Sequence, residues 1–401
     1  MKYVARVGYG LGQPPELSDS GIPILRATNI MRGKFTSNGL IFAAKKDLPL
    51  DRAPLLREGE ILVVRSGAYT GDSALVTSPW VGSAPGYDLR VSPVDSHPNY
   101  LAYCLLSTPV LDQIDLAKAR AAQPHLNAED LGDAIIALPP ADEQRRIADF
   151  LDAETTRIDR MVELRRASRT LIEEKAFASI AKLSTIGRGN ARNTNDPWIP
   201  QVGTDWEVLP LKRRWRIIDC KHRTPTYVDS GYPVISPGDI TPGRLDLSKA
   251  NRFVDKDDYY DLADTLRRAR RGDIVYSRNA SIGIAAYVDT DEKFTMGQDV
   301  CRITSQGQDQ LFLTYFLNTT ALAQLGSLQI GSTFTRVNIG TLLELSVACP
   351  PHEEQRLLAT EMDFISHDTA RLTSALNAQI MLLNERKQAL ITAAVTGGIT
   401  V

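Results

Sequence analysis

Two segments of the chain place an arginine and small polar residues directly after an apolar run. One is GEILVVRSGAYTGDS, which begins at Gly59, and the other is GDIVYSRNASIGIA, which begins at Gly272. A strand that ends in such a loop suits contact with base edges, because arginine pairs bidentately with guanine and asparagine with adenine. An ordinary hairpin with a solvated arginine is the alternative. The candidate DNA contacts in these segments are Arg65, Ser66, Tyr69, Thr70, Arg278, Asn279 and Ser281.

A second pair of loops carries further polar side chains that suit contact with DNA. These loops are RAAQPHLNAEDL, from Arg120, and GSTFTRVNIGTL, from Gly331. Asn127 and Asn338 are expected to cap a short turn in each loop, which is a structural role. The candidate DNA contacts in these loops are Gln123, His125, Thr333 and Arg336.

A run of arginines in the second half of the chain is a candidate for phosphate contacts. Arginine binds phosphate oxygens without reading sequence, so such a run would position the protein on DNA. A solvated helix end is the alternative. The candidates are Arg267, Arg268, Arg270 and Arg271.

The residue patterns of the common catalytic sites do not occur in the sequence. A GxxxxGK[ST] loop is absent, so an ATP-driven motor is not indicated. The five histidines lack metal-ligand spacing, and the four cysteines stand far apart without a CxxC pair. We therefore predict a non-catalytic chain that holds neither a metal nor a cofactor of its own.

Composition limits the ways in which the chain could bind DNA. The 401 residues have a net charge of −2 and a hydrophobic content of 43%, as expected for two globular domains. A near-neutral protein lacks the positive charge for strong non-specific binding to phosphates, so DNA binding requires local patches or a basic partner. No apolar run reaches the length of a membrane span, and the separate cysteines favour the reducing cytoplasm.

The sequence repeats itself at a nearly fixed interval. PPADEQRR begins at Pro139, and PPHEEQRL begins 211 residues later, at Pro350. The correspondence continues from Leu171 to Leu382, and SGIPILRATNI from Ser20 matches SGYPVISPGDI from Ser230 more weakly. Such duplication predicts two similar units related by a pseudo-two-fold axis, which suits a bipartite target such as duplex DNA.

The hydrophobic period changes from strand-like to helical in each half. Short β-like runs, among them residues 135–138, give way to a helix from Asp142 to about Gly187, and the same change recurs before a helix from His352 to about Thr396. The second helix carries apolar residues at a spacing near 3.5, which indicates a coiled-coil seam. Two-fold symmetry would make the two helices antiparallel.

These patterns predict an α/β (α+β) fold with two similar domains separated by two long antiparallel coiled-coil helices. The predicted boundaries are 1–137 for the first domain, 138–187 for the first spacer helix, 188–205 for a linker, 206–348 for the second domain and 349–401 for the second spacer helix.

The repeated helix starts resemble those of a known family. PPADEQRRIADFLD and PPHEEQRLLATEMD, followed by LIEEK and LLNERKQALITAAVTGG, are similar to the specificity subunit of type I restriction-modification systems. The resemblance covers essentially the whole chain in the family's order, and two copies of the helix start make it specific. It implies a non-catalytic subunit in which each recognition domain reads one half of an interrupted DNA sequence.

The same resemblance implies partners and the location of cofactors. The helices would space the two half-sites and dock two methyltransferase subunits, which translocase-nuclease subunits then join. S-adenosylmethionine, ATP and magnesium are expected on those partner subunits and not on this chain. Two alternatives remain: the reader of a combined nuclease-methyltransferase outside the type I class, and a tandem coiled-coil scaffold that binds only proteins.

The first half departs from the family at its start. WEVLPLK opens the second half at Trp206, whereas the first half begins at Lys2, which aligns near Lys212. The first domain therefore lacks an opening strand. Either the N-terminus is shortened, or the C-terminal tail after Gly398 supplies that edge.

Overall fold

A computed structural model describes residues 1–119, 125–279, 283–329 and 336–401 of the protein. The chain divides into two compact units. Unit 1 comprises Met1–Arg166 and Asn377–Val401, and unit 2 comprises Ala167–Leu376. Three predicted DNA contacts, Gln123, Ser281 and Thr333, lie outside the described residues.

Unit 1 is built on a four-stranded antiparallel sheet of order β1-β9-β6-β7. A three-stranded sheet of order β5-β2-β8 and the β3-β4 hairpin accompany it. Its strands are β1 (Ala5–Tyr9), β2 (Ile22–Leu25), β3 (Ile30–Met31), β4 (Lys34–Phe35), β5 (Ile41–Ala43), β6 (Ile61–Val63), β7 (Ser73–Leu75), β8 (Ala84–Pro85) and β9 (Leu89–Pro93). Its short helices are α1 (Pro98–Leu106), α2 (Thr108–Ala119) and α3 (Ala128–Asp133).

The central strand β6 is buried on both faces. Ile61 and Val63 belong to the apolar cluster that includes Leu101 and Leu105 of α1, whereas Leu62 belongs to a second cluster. Successive side chains of a strand point to opposite faces, so an uninterrupted apolar run can fill two cores at once. Two of the apolar clusters of unit 1 therefore meet at this strand.

Unit 2 repeats this plan around a five-stranded sheet of order β13-β20-β17-β18-β15. The first long helix, α4, is Ala141–Thr185. The strands are β10 (Ala191–Asn193), β11 (Gln201–Gly203), β12 (Glu207–Pro210), β13 (Arg216–Asp219), β14 (Tyr232–Ile235), β15 (Gly243–Arg244), β16 (Phe253–Val254), β17 (Ile274–Ser277), β18 (Ala285–Tyr287), β19 (Thr295–Met296), β20 (Val300–Thr304) and β21 (Ser346–Cys349). The short helices of unit 2 are α5 (Lys256–Leu262), α6 (Gln310–Leu317), α7 (Thr320–Gln329) and α8 (Ile339–Leu343). The second long helix, α9 (His352–Val395), is divided between the two units, as α4 is.

Each long helix contributes its two ends to different units. In unit 1, the start of α4 shares a buried cluster with Ile391 and Ala394 near the end of α9. In unit 2, Ile180 and Leu183 near the end of α4 share a cluster with Met362 near the start of α9. In each unit the start of one long helix therefore packs against the end of the other, so the two helices are antiparallel. The predicted fold class is confirmed.

The bounds of the long helices follow from local sequence. Each helix begins directly after a Pro-Pro pair and contains neither proline nor glycine. Gly187 and Gly397 adopt positive φ angles of 72° and 76° just after the last helical turn. A left-handed glycine lets the chain turn away from the helix. The amides of Gly187 and Gly398 then donate hydrogen bonds to carbonyls of the last helical turn.

The segment predicted to be a linker, 188–205, contains the β10-β11 hairpin. Ile199 and Val202 from this segment are buried in the core of unit 2. Trp206, which follows the hairpin, donates an indole N–H to Glu354 at 3.0 Å. Two apolar side chains and an anchoring tryptophan therefore make this segment part of a folded unit.

The two units differ in the backbone pairing of the segment that precedes each long helix. In unit 2, β12 pairs antiparallel with β21. The matching residues 135–138 of unit 1 form no strand, although Ile399 and Val401 pack against the cluster beside Ile136. The tail thus contributes packing and not a paired strand at this position.

Candidate nucleic-acid interface

In unit 1, the two loops that carry predicted DNA contacts meet at one end of the central sheet. Ser66 forms an isolated antiparallel bridge with His125. The amide of Leu126 donates to the carbonyl of Arg65 at 2.7 Å. The first loop leaves the end of β6, so this strand fixes Arg65 and Ser66 beside His125 and Leu126.

The guanidinium of Arg65 lies over an aromatic ring. Its central carbon is 5.0 Å from the ring centroid of Tyr9, and one terminal nitrogen is 3.4 Å from Nε2 of His125. Tyr9 is half-exposed, and its hydroxyl accepts a hydrogen bond from the amide of Ala128 at 3.2 Å. A ring under a guanidinium attracts it without neutralising its charge. Arg65 is therefore a partly exposed cation at the base of both loops.

The other predicted contacts of the first loop differ in exposure. Ser66 is exposed, and Tyr69 exposes 56% of its surface. Thr70 directs its hydroxyl back to the carbonyl of Gly67 at 2.7 Å and so stabilises the turn. The loop thus presents an aromatic ring and a serine beside the arginine.

Unit 2 ties its loops together in the same way. Asn279 bridges Arg336, and the amide of Val337 donates to the carbonyl of Arg278 at 2.8 Å. Asp299 joins the two loops, because it accepts from Asn279 at 3.1 Å and pairs with Arg336 at 2.6 Å. Asp299 has a φ of 63°, which is strained for a residue other than glycine.

Arg278 lies in a different environment from Arg65. It is 3% exposed, and its guanidinium pairs with Asp219 at 2.6 Å. A base contact by Arg278 would require this buried ion pair to break. Arg336, by contrast, leaves 46% of its side chain exposed. The assignment of all these residues to DNA stays a prediction.

The predicted phosphate contacts lie at the opposite end of β17 from Arg278. Arg267 pairs with Asp264, and Arg271 pairs with Asp291 at 2.9 Å. Arg268 and Arg270 are exposed. Because β17 spans four residues, about 13 Å of strand separates this run from the loop at Arg278.

Sequence reasoning missed the acidic and aromatic residues that hold these arginines. Tyr9 and Asp219 are the last residues of β1 and β13, so their position at a strand end is the signal that could have found them. Asp88 accepts a hydrogen bond from the amide of Arg65 at 3.2 Å. Burial raises the pKa of Asp88 to about 6, against hydrogen bonds that lower it.

Asp219, Cys220 and His222 form a group whose ligand atoms lie within 4.8 Å of one another. One carboxylate oxygen of Asp219 is taken by Arg278, and the other lies 3.0 Å from Nε2 of His222. Burial also raises the pKa of the Cys220 thiol, which disfavours the thiolate that a metal requires. The group is an ion-pair network and does not fit a metal site.

A buried ion pair holds the opposite end of the central strand in both units. Arg90 pairs with Glu60 in unit 1, and Arg302 pairs with Asp273 at 2.7 Å in unit 2. Each carboxylate directly precedes the strand that leads to the loop arginine. These pairs have the same place in the two units and fix the strand without facing the loops.

No helix within the described ranges is both long enough and apolar enough to cross a membrane.

The comparisons with known proteins agree with the duplicated architecture. The model of the type I restriction modification DNA specificity domain matches residues 15–168 and 207–382. The specificity subunit of the type I restriction enzyme MjaVIII from Methanocaldococcus jannaschii is 24% identical over 253 residues, which cover 61% of this chain and 58% of that protein. The EcoBI specificity subunit from Escherichia coli is 22% identical over 298 residues, 69% of this chain and 60% of that protein.

These two relatives are thus matched over less than two thirds of their own length. A solved chain from a study of complex assembly and conformational transition in a type I R-M system superposes with a TM-score of 0.73. It is 19% identical, and the superposition covers 98% of this chain and 97% of the other. At this identity the likeness shows a shared fold.

Proposed function

This chain belongs to the family of type I restriction modification DNA specificity domains, and on that premise we propose that it reads a bipartite DNA target for a type I restriction-modification complex. Each unit recognises one half-site through the two loops at the end of its central sheet. The observation that carries this proposal is the pairing of those loops by equivalent bridges, Ser66 with His125 and Asn279 with Arg336. Both units place an arginine at that junction.

The loop junction suits base recognition for geometric and chemical reasons. Arg65 and Arg336 are partly exposed cations, and Asn279 and Ser66 flank them. Guanidinium and amide groups match the donor and acceptor patterns of guanine and adenine in the major groove. Backbone bridges at the end of each sheet hold Ser66 beside His125 and Asn279 beside Arg336. These residues are therefore positioned before DNA arrives, which reduces the entropy lost on binding.

The proposal includes partners because this chain lacks the charge for strong DNA binding. Its net charge is −2, whereas neutralisation of phosphates requires an excess of lysine and arginine. We propose that two methyltransferase subunits supply this positive charge and the catalytic steps. Restriction translocase-nuclease subunits then join this assembly in the cytoplasm. S-adenosylmethionine, ATP and magnesium belong to those subunits in this proposal.

Exposed apolar side chains on the long helices support the docking of partners. In unit 2, Phe364 is 71% exposed and Leu171 is 64% exposed. In unit 1, Met381 and Leu382 are more than half exposed. Large apolar groups in water favour burial against another protein, and aromatic residues contribute strongly to interfaces.

A domain exchange tests the reading function. Residues 206–348 would be replaced by the corresponding segment of a relative, and methylated adenines would be mapped in a host that carries the partner genes. We expect one half of the methylated motif to change while the other half and the gap stay the same. The matched control replaces residues 1–137, which should change the other half.

Two outcomes would contradict the proposal. If both half-sites changed in one exchange, the units would not read independently. If the chain with its methyltransferase partner retained DNA no better than the methyltransferase alone, the chain would be a scaffold that binds only proteins.

A further inference from the structure

The last residues of β1 and β13 occupy equivalent places in the two sheets. Tyr9 lies opposite Leu89, which in turn lies opposite Val63 in β6. Asp219 lies opposite Cys301, which lies opposite Tyr276 in β17. Two residues after Val63 and two after Tyr276 come the loop arginines, Arg65 and Arg278. The strand register therefore puts Tyr9 and Asp219 at the same distance along the sheet from their arginines.

These equivalent residues treat their arginines in opposite ways. The ring of Tyr9 supports Arg65 at 5.0 Å and leaves its charge available. Among the described residues, no carboxylate forms a salt bridge with Arg65. Asp219 instead neutralises Arg278, which is 3% exposed. A buried arginine that loses its carboxylate is left uncompensated, so this pair resists opening.

The second loop shows the complementary difference. His125 and Arg336 are equivalent, because each bridges the residue that follows the loop arginine. Unit 1 has a histidine here beside its available Arg65. Unit 2, whose first-loop arginine is withdrawn, has an arginine at this place with 46% of its side chain exposed. The ion pair of Arg336 with Asp299 is partly exposed, so solvent weakens it and DNA can compete for the guanidinium.

We infer that Tyr9 and Asp219 select which loop presents an arginine to DNA, the first loop in unit 1 through Arg65 and the second loop in unit 2 through Arg336. Arg278 is then a structural residue that anchors its loop to β13. Tyr9 and Asp219 act as positioning residues, since each works through an arginine. The inference rests on the proposed function and adds to it the residue that reads in each unit.

The first test compares three alanine variants in the complex with the methyltransferase partner. Binding is measured for the motif found by methylome mapping and for DNA with one half-site substituted. Arg65→Ala and Arg336→Ala should each reduce discrimination at a different half-site by about ten- to a hundred-fold, as expected for loss of a bidentate base contact. Arg278→Ala should keep discrimination at low temperature and lower the melting temperature.

A double variant guards against misfolding in that test. Asp219→Ala with Arg278→Ala removes both charges of the buried pair, which is expected to cost less stability than removal of one. It too should keep discrimination. A loss of discrimination in a folded Arg278→Ala or double variant would overturn the inference.

The second test separates positioning by Tyr9 from a general structural role. Tyr9→Phe loses the hydrogen bond from the amide of Ala128 but keeps the ring under Arg65. This variant should therefore retain discrimination. Tyr9→Asp should neutralise Arg65 and reduce discrimination as much as Arg65→Ala does. In an Arg65→Ala background, Tyr9→Asp should have no further effect, and additive effects of the two changes would contradict the inference.

The two levels of the argument fail differently. If the wild-type complex showed no sequence preference, the proposed function would fail and this inference with it. If the wild-type complex were selective but Arg278→Ala, and not Arg336→Ala, relaxed one half-site, only the inference would be overturned.

Discussion

The loop arginines show what sequence predicts about a residue and what it does not. Arg65 and Arg278 were predicted together because each follows an apolar run and precedes a polar loop. Arg278 is buried and pairs with Asp219, which lies 59 residues earlier in the chain, whereas Arg65 is only partly buried. Strand pairing brings these residues together, and no local pattern announces it. The place of these arginines at the end of a strand was therefore predictable, and the exposure of their side chains was not.

The caps and the candidate contacts differ in the same respect. Asn127 and Asn338 were predicted to cap short turns, and each accepts a hydrogen bond from the amide three residues later, at 2.8 and 2.7 Å. A cap depends on neighbouring residues, so the sequence contains the whole interaction. A base contact depends on loops that are far apart in sequence.

Asp88 gives a pH-dependent prediction at this scale. Burial raises its pKa to about 6, above the ordinary value of 3.8, so the folded protein binds this proton more tightly than the unfolded chain. The free energy of unfolding should therefore fall as pH rises from about 4 to 6, by roughly 1–3 kcal/mol from this group. Asp88→Asn should remove that fall, because asparagine stays neutral. The melting temperature of the variant minus that of the wild type should therefore be larger at pH 7.5 than at pH 5.

The control for this prediction is Asp19→Asn, since Asp19 is exposed. Thermal melts of the three proteins from pH 4.5 to 8 decide the matter. A wild-type minus Asp88→Asn difference that did not depend on pH would show that Asp88 is ionised throughout this range.

At the scale of elements, the long helices were predictable, and the sheets were only partly so. The helices were predicted over 142–187 and 352–396 and are observed at Ala141–Thr185 and His352–Val395. Helical periodicity and proline act within one segment of chain. The β-like run at 135–138 forms no strand, although its counterpart β21 does, because β21 has β12 as a partner.

The repeated glutamine of the helix starts has a structural role. Gln144 donates to the carbonyl of Pro139 at 2.8 Å and accepts from the amide of His97 at 2.8 Å. Gln355 makes the same two bonds, to Pro350 at 2.8 Å and from the amide of Asp309 at 2.9 Å. Both glutamines are buried. Gln144 thus joins the first turn of α4 to the start of α1, and Gln355 joins the first turn of α9 to the start of α6.

This clamp predicts the cost of its removal. Gln144→Leu should lower the free energy of unfolding by about 1–3 kcal/mol, because it removes two part-buried hydrogen bonds, each worth about 0.5–1.5 kcal/mol. Gln144→Glu keeps the acceptor for His97 and loses the donor to Pro139. Chemical denaturation of both variants, with the exposed neighbour Arg145→Leu as control, measures the difference. A cost for Gln144→Leu no greater than that of Arg145→Leu would mean that water replaces the clamp.

At the scale of the whole molecule, the duplication was the strongest signal in the sequence. The helix starts repeat exactly enough to align, while the loops between them have diverged. A second pair of glutamines also makes equivalent hydrogen bonds in the two copies. The side chain of Gln113 bonds to the amide and the carbonyl of Ile135, and that of Gln324 bonds to the same groups of Ser346. Structural hydrogen bonds have thus been kept in both copies, and the loop arginines have not kept their environments.

The duplicated helices lead to a prediction about spacing. Under the proposed function, α4 and α9 set the number of unread base pairs between half-sites. An insertion near Leu183 would disturb the core of unit 2, where Leu183 and Ile180 are buried. Glu174 and Ser374 are exposed and lie outside the buried clusters, so they are better places to lengthen the helices.

Seven residues inserted after Glu174 and seven after Ser374 should keep the seam in register, because both helices gain one full heptad. Seven residues add about 10 Å at about 1.5 Å per residue. With base pairs about 3.4 Å apart, the unread gap should grow by about three pairs, while both half-sites keep their sequence. Three of about ten base pairs per turn also rotate the second half-site, so we expect slower methylation at the new motif. Insertion into α4 alone is the control and should lower the melting temperature without creating a longer motif. An active complex with both insertions and an unchanged gap in its methylome would show that the helices do not set the spacing.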